Sequence, residues 1–207
     1  TETLRQGLKV KQRILPMSDD PVRTQVNTLD GQLSFQHYFV RERCQPKVTG
    51  FHFEGVSEAK AQAEFVALLQ DPELAAVVIC PSNPFVSVAP MLSLTGVKAL
   101  LQKCQAPIVA VSPIVSGMAI KGPAAKMMEE LNMPCTAVAV AEYYGDLLDG
   151  FVIDDSDAIQ KEDITQLGID VLVAPTVMNN FDDKVALAKQ VLTFCETLQD
   201  EAVICGQ

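Results

Sequence analysis

The apolar run Val77-Val78-Ile79-Cys80, cut off by Pro81-Ser82-Asn83-Pro84, constrains this chain more than any other stretch. Four consecutive apolar residues suit a strand buried on both faces of a sheet, because successive side chains point to opposite sides and neither side carries a charge. The two prolines donate no backbone N–H and so end the ladder. Ser82, Asn83 and Ser87 then fall where a parallel strand opens toward its following helix. Open α/β sheets bind ligands at such carboxyl edges. The same residue types are also common turn formers, so a plain strand-to-helix turn is the alternative.

The plan recurs downstream. Val111-Ser112-Pro113-Ile114-Val115-Ser116-Gly117 stops a second apolar run with Ser-Pro, and Ile120-Lys121-Gly122-Pro123 leads into a helical pattern. Free N–H groups at a helix start and the charge of Lys121 would together suit a phosphate, although the glycine spacing is not that of a P-loop. From residue 57 onward helix-type and strand-type patterns alternate. Helices are expected over 57–70, with Ala61, Phe65, Leu68 and Leu69 as its apolar stripe, then near 91–104, 123–131, 138–144, 163–167 and 182–198. Strands are expected at 76–80, 108–111, 151–153 and 171–174. In the last helix Val185, Ala188, Val191, Leu192 and Cys195 are expected to face inward. This alternation predicts an α/β fold, a three-layer, mostly parallel Rossmann-like sheet.

Residues 1–55 read differently, as a small β-rich appendage or lid on a core spanning 56–207. Residues 8–15 alternate apolar and basic side chains in the manner of a half-solvated strand. Asp30-Gly31 between residues 22–29 and 33–40 is a strong hairpin signal. Phe35, Tyr38 and Phe39 crowd the second arm, and Phe51 and Phe53 alternate further on.

Composition excludes several classes. Of the 207 residues, 48% are hydrophobic and 20% charged, as in a folded globular chain. A formal net charge of −10 argues against a nucleic-acid binder, though not against a small phosphorylated ligand held in a local pocket. No apolar run approaches a membrane helix and the opening residues carry no targeting bias, so a cytoplasmic protein without membrane contact is expected. Six scattered cysteines without a C-x-x-C pair support neither disulfides nor zinc, and most read as small buried hydrophobes.

Two acidic stretches could carry chemistry. In Asp19-Asp20-Pro21-Val22-Arg23, one aspartate is a candidate to bind a metal or orient a hydroxyl, and Arg23 to grip a phosphate. A turn with a surface ion pair is the structural alternative. The cluster Asp154-Asp155-Ser156-Asp157 invites a divalent-metal reading but lacks EF-hand spacing, and Asp157 is equally a helix N-cap.

Five motifs occur in one order: 17–24 (Met-Ser-Asp-Asp-Pro-Val-Arg-Thr), 35–40 (Phe-Gln-His-Tyr-Phe-Val), 81–87 (Pro-Ser-Asn-Pro-Phe-Val-Ser), 111–115 (Val-Ser-Pro-Ile-Val) and 121–126 (Lys-Gly-Pro-Ala-Ala-Lys). Together they resemble the CofD family, the 2-phospho-L-lactate transferases of coenzyme F420 biosynthesis. The resemblance implies transfer of a phospholactyl or phosphoenolpyruvyl group from a guanosine-diphosphate (GDP)-activated donor to the ribityl hydroxyl of the deazaflavin FO, with GMP leaving and Mg²⁺ assisting. By the same resemblance Ser82, Asn83, Pro84 and Ser87 would contact the nucleotide-phosphate region, and Gly117 and Lys121 would hold the donor. Asp19, Asp20 and Arg23 would sit near the acceptor or metal, with Asp19, Asp20 and Asn83 as the catalytic set and the two aspartates as metal ligands. Phe35, Tyr38, Phe39 or Phe85 would pack on the planar deazaflavin.

Ala89, Thr95 and Ser116 depart from the family pattern. The family's opening strand and glycine-rich loop are not seen, so a truncated form is expected, with an apolar sheet edge open to a second copy. The rival reading is a non-catalytic regulator of the same superfold that binds a nucleotide or nucleotide sugar; such relatives lack the Pro-Ser-Asn-Pro stop.

Overall fold

The structure, a computed structural model, describes residues 1–205, with side chains through Glu201. The expected place of residues 206 and 207 in the core lies outside the described residues. The chain opens with helix α1 (Glu2–Gly7), which buries no residue, and then runs without strand pairing to residue 17. The strand expected over 8–15 is therefore not formed: its alternation finds no sheet edge to pair with, and Leu8 and Ile14 remain exposed.

Strands β1 (Arg23–Thr28), β2 (Gly31–Ser34) and β3 (Val48–Glu54) make an antiparallel sheet in the order β2-β1-β3. Thr28 pairs with Gly31 at the turn, where Gly31 adopts the positive φ that favours glycine. The second arm ends at Ser34, earlier than expected. Residues His37–Arg41 coil into a π-type turn, which stacks Phe35 on Phe39 at 5.5 Å and buries Tyr38 completely.

Helix α2 (Ala63–Leu69) starts later than expected, because Gln62 caps it by accepting the Phe65 N–H, while residues 57–60 stay in a loop. Then follow β4 (Val77–Ile79), a π-type turn at Pro84–Val88, α3 (Ala89–Leu92), α4 (Val97–Leu101) and β5 (Ile108–Val111). Gly96, at positive φ, divides what the sequence suggested as one helix. The short pair β6 (Ile114–Val115) and β7 (Met118–Ala119) leads to α5 (Ala124–Glu130) and α6 (Ala137–Tyr144). Strand β8 (Gly150–Ile153), helix α7 (Lys161–Thr165), strand β9 (Asp170–Val173) and the long helix α8 (Phe181–Cys205) complete the chain.

The central sheet is fully parallel in the order β4-β5-β8-β9. Its two faces can be read from one strand. In β5, Ile108 and Ala110 join the larger core with Phe151, Ile153 and Met127, whereas Val109 and Val111 join a second core with Val152 and α8. Each step along the sheet goes the same way, so right-handed crossovers bring the connecting helices to one face. Helix α8 covers the other, which makes three layers. Val26, Tyr38 and Val48 of the antiparallel portion belong to the larger core, and Phe85 links the two sheets by stacking on Phe51 at 5.6 Å.

Two expectations need correction here. Strand β4 is an edge, not a doubly buried centre: Val78 is 37% exposed and Cys80 is exposed as well. Helix α8 faces the sheet with Leu187, Val191, Cys195 and Leu198, while Val185, Ala188 and Leu192 face outward. Its tight seat explains the register, since a Cβ on Gly150 would meet the Phe194 ring at 2.7 Å and the Leu198 methyl at 2.8 Å. Leu187, Ala188, Val191 and Leu192 of α8 and the exposed Val78 and Cys80 at the sheet edge line a shallow groove of 550 Å³.

Candidate functional site

Three of the four parallel strands end in the same chemistry. After β4 come Pro81 and Ser82, after β5 come Ser112 and Pro113, and after β9 come Pro175 and Thr176. Parallel strands place these three ends along one edge, and there a pocket of 170 Å³ opens. Ser82, Asn83, Ser112 and Thr176 line it, together with Lys121 from the loop before α5 and Lys184 from the first turn of α8.

Hydrogen bonds separate the groups that hold the loops from those left to a ligand. The Asn83 side chain accepts the N–H groups of Phe85 (2.9 Å) and Val86 (3.3 Å), while its amide donates to Met127 Sδ at 3.2 Å. Asn83 thus caps the turn that follows it, and one amide hydrogen remains. The Ser112 hydroxyl donates to the Ile114 carbonyl (2.9 Å) and accepts the Ile114 N–H (3.1 Å), closing its own turn. Ser82, Lys121 and Lys184 make no side-chain hydrogen bond or ion pair among the described residues.

Two buried aspartates brace the edge from behind. Asp154, at the end of β8, accepts the Ser156 N–H and hydroxyl on one oxygen and the Thr176 N–H and hydroxyl on the other. Burial pushes its pKa up, but the hydrogen bonds from Thr176 and Ser156 outweigh that push and hold the carboxyl below the ordinary aspartate value. With its proton turned to Asp154, the Thr176 hydroxyl presents a lone pair to the pocket. Asp157 accepts the Ser116 N–H on both carboxylate oxygens, at 3.2 and 3.0 Å, and so fixes the β6–β7 turn where Ser116 takes a positive φ. It is not the helix cap suggested by the sequence; Asp154 has that position for the 3₁₀ turn Asp155–Gln160.

The structure brings together Ser82, Asn83 and Lys121 of the residues singled out in the sequence. Pro84 is buried beside them, and Ser87 and Gly117 are exposed outside the pocket walls. Asp19, Asp20 and Arg23 are exposed at the foot of the antiparallel sheet, where Asp20 accepts the Lys60 N–H at 2.9 Å and the Ser18 hydroxyl donates to the Lys60 carbonyl. Tyr38 and Phe85 have no free ring face: the first is fully buried and the second lies between Phe51 and Tyr143. Thr176 and Lys184 escaped the sequence reading. The Ala174-Pro175-Thr176 stop repeats the pattern after β4 and was a usable signal; Lys184 sits on a helix with no local mark.

A magnesium ion held by one or two carboxylates and substrate phosphates needs acidic groups beside the phosphates. The pocket walls carry lysines and hydroxyls but no carboxylate, and no cluster of three His, Cys, Asp or Glu side chains suited to a metal occurs among the described residues. The residues of this chain do not make a magnesium site at the pocket. Among the described residues no helix is long and apolar enough to cross a membrane.

The fold is shared with a protein described as a member of the UPF0052 family. Two crystal structures of one Bacillus halodurans protein, described as a member of that family, superpose with a TM-score of 0.61 at 14% and 16% identity, covering 93% and 90% of this chain and 65% of theirs. By sequence it is placed more closely: the profile of "2-phospho-L-lactate transferase CofD" matches residues 1–184, and the chain belongs to that family. The relative from Methanosarcina mazei is 38% identical over 183 residues, which is 88% of this chain and 59% of the relative. The relative from Methanocaldococcus jannaschii is 36% identical over 196 residues, 93% of this chain and 61% of the relative. Both are named 2-phospho-L-lactate transferase. The chain therefore spans about three fifths of the length of these curated relatives.

Proposed function

We propose that this chain forms the donor-binding part of a 2-phospho-L-lactate transferase, and that the pocket at the ends of β4, β5 and β9 takes the diphosphate of a GDP-linked donor. The observation that carries the reading is the pair Lys121 and Lys184, two cations from different elements on one pocket of a protein whose net charge is −10. Cations without a carboxylate partner in a pocket that also presents a serine hydroxyl suit phosphate oxygens. The lone pair of Thr176 would accept a ribose hydroxyl, and the remaining Asn83 amide hydrogen would donate to a phosphoryl oxygen.

The reaction is a displacement at phosphorus. The terminal ribityl hydroxyl of the acceptor FO attacks the phospholactyl or phosphoenolpyruvyl phosphorus, a P–O bond forms, the bond to GMP breaks, and GMP leaves with the electron pair while the hydroxyl proton is lost. Lys121 and Lys184 neutralise charge that builds on the leaving phosphate, and the serine, asparagine and threonine walls hold the donor in line. Mg²⁺, implied by the family resemblance, finds no carboxylate in the pocket and has no step here. The exposed Asp19 and Asp20 stand apart from the pocket walls, and a role for them belongs to the acceptor.

The test incubates the protein with FO, Mg²⁺ and each GDP-linked donor, and follows GMP release and the phosphodiester product by chromatography. Product from either donor supports the reading. Donor bound without GMP release from either donor favours the non-catalytic nucleotide-binding regulator, and absence of donor binding overturns the pocket assignment.

A further inference from the structure

The end of β8 supplies no wall of the phosphate pocket, yet the turn that follows it reaches two segments that do. Asp154 ties down Thr176, and three residues later Asp157 accepts the Ser116 N–H on both carboxylate oxygens. Asp157 is buried, and among the described residues no cation pairs with it. Its charge is met by two amides alone, the Ser116 N–H and the Gln160 side-chain amide at 2.9 Å. Gln160 is held in turn, since its carbonyl accepts the Val138 N–H from the first turn of α6 at 3.2 Å.

The segment that Asp157 grips is otherwise thinly supported. Ser116 and Gly117 form the two-residue turn of the β6–β7 hairpin, in which Val115 pairs with Met118 and Ile114 with Ala119. Both turn residues have positive φ, 49° and 73°, which suits a tight hairpin turn but is uncommon for a residue with a Cβ such as Ser116. The inner arm is buried at Ile114 and Val115. In the outer arm Met118 is exposed and Ala119 alone packs on the core. Ile120 and Lys121 follow at once, both exposed and both walls of the pocket. A two-stranded pair this short is not stable by itself, so the place of Lys121 depends on what holds the hairpin's tip.

We infer that Asp157 is a positioning residue of the donor pocket: by holding the Ser116 N–H it sets the β6–β7 hairpin, and through the hairpin it aims Lys121 at the bound phosphate. The inference rests on the proposed phosphate pocket and says how one of its two cations is placed. Asp157 does not touch the ligand. The single turn after β8 thereby fixes both flanks, Thr176 through Asp154 and Lys121 through Asp157.

A double-mutant cycle on GDP binding, read by calorimetry, tests it. Asp157→Asn keeps the shape but turns an amide donor toward the Ser116 N–H or the Gln160 amide, and should weaken GDP binding about fivefold. In a Lys121→Ala protein the same substitution should change GDP affinity by less than about twofold, because the cation it positions is gone. The salt dependence of GDP binding should flatten in Asp157→Asn as it does in Lys121→Ala. Gln160→Ala keeps the carboxylate and removes one of the groups that orient it; it should show the same pattern at smaller amplitude, and it carries the cycle if Asp157→Asn does not fold. Equal weakening with and without Lys121, or unchanged GDP affinity in whichever variant folds, overturns the positioning role and leaves the pocket standing. No GDP binding by the unaltered protein, or full affinity in Lys121→Ala, overturns the donor pocket and this role with it.

Discussion

Asp154 holds Thr176 through both of that residue's donors, the backbone N–H at 2.9 Å and the hydroxyl at 3.1 Å. One carboxylate oxygen thus ties the end of β8 to the segment after β9 and sets which way the threonine hydroxyl points. Asp154→Asn replaces an acceptor by an amide that faces a donor. The variant should lose about 1–3 kcal/mol of stability, the cost of leaving a buried donor unmet. Chemical denaturation measures this, and GDP affinity should fall with it.

The same carboxylate shapes the acid response. Its folded pKa lies below the usual 3.8, so its contribution is fully present above the unfolded value and is lost as pH falls through the folded one. Unfolding free energy of the unaltered protein should therefore drop more steeply below about pH 4 than that of Asp154→Asn. Parallel curves for the two proteins in that range would refute the assignment.

Lys121→Ala and Lys184→Ala should each weaken GDP binding about tenfold, since a charge-assisted contact is worth roughly 1.5–3 kcal/mol. Binding by the unaltered protein should also weaken with added salt, less steeply in either variant. Thermal stability should hardly change, because both side chains are exposed and make no ion pair among the described residues.

Asn83→Ala should cost about 1 kcal/mol through loss of a cap and lower GDP affinity as well. Asn83→Asp separates the two effects. A carboxylate keeps the acceptor for the Phe85 and Val86 N–H groups but removes the amide donor, so the turn is retained while phosphate binding falls. Equal GDP affinity in Asn83→Asp and the unaltered protein would limit Asn83 to a structural role.

Gly150→Ala should destabilise the protein by about 1–3 kcal/mol, as overpacking does, by forcing α8 away from β8. Because Lys184 rides on that helix, GDP affinity should fall too, although residue 150 lies at the opposite end of its strand from the pocket. A lower melting temperature with unchanged GDP binding would show that the first turn of α8 is held independently of its middle.

The parallel core was legible because β5, β8 and β9 are short apolar runs and each is followed by a helical pattern, a periodicity that survives in one dimension. The first expected strand failed for a reason local pattern does not contain. Residues 8–15 alternate as a strand should, yet no neighbour offers a ladder. Helix α8 shows the same limit, since residues 185, 188 and 192 and residues 187, 191, 195 and 198 both form apolar stripes at helical spacing, and only the sheet beneath chooses between them.

The pocket divides in the same way. Proline-hydroxyl stops after strands are local chemistry, and Ser82, Asn83 and Ser112 could be picked from the chain alone. Which strand ends stand side by side is set by the order β4-β5-β8-β9, which brings Thr176 within one pocket of Ser82 across 94 residues. Lys184 enters only because α8 crosses that sheet edge. Strand breaks and turn caps depend on backbone donors a few residues away, so the chain itself dictates them. A binding site depends on which distant segments the core forces into contact, and for that the packing had to be seen.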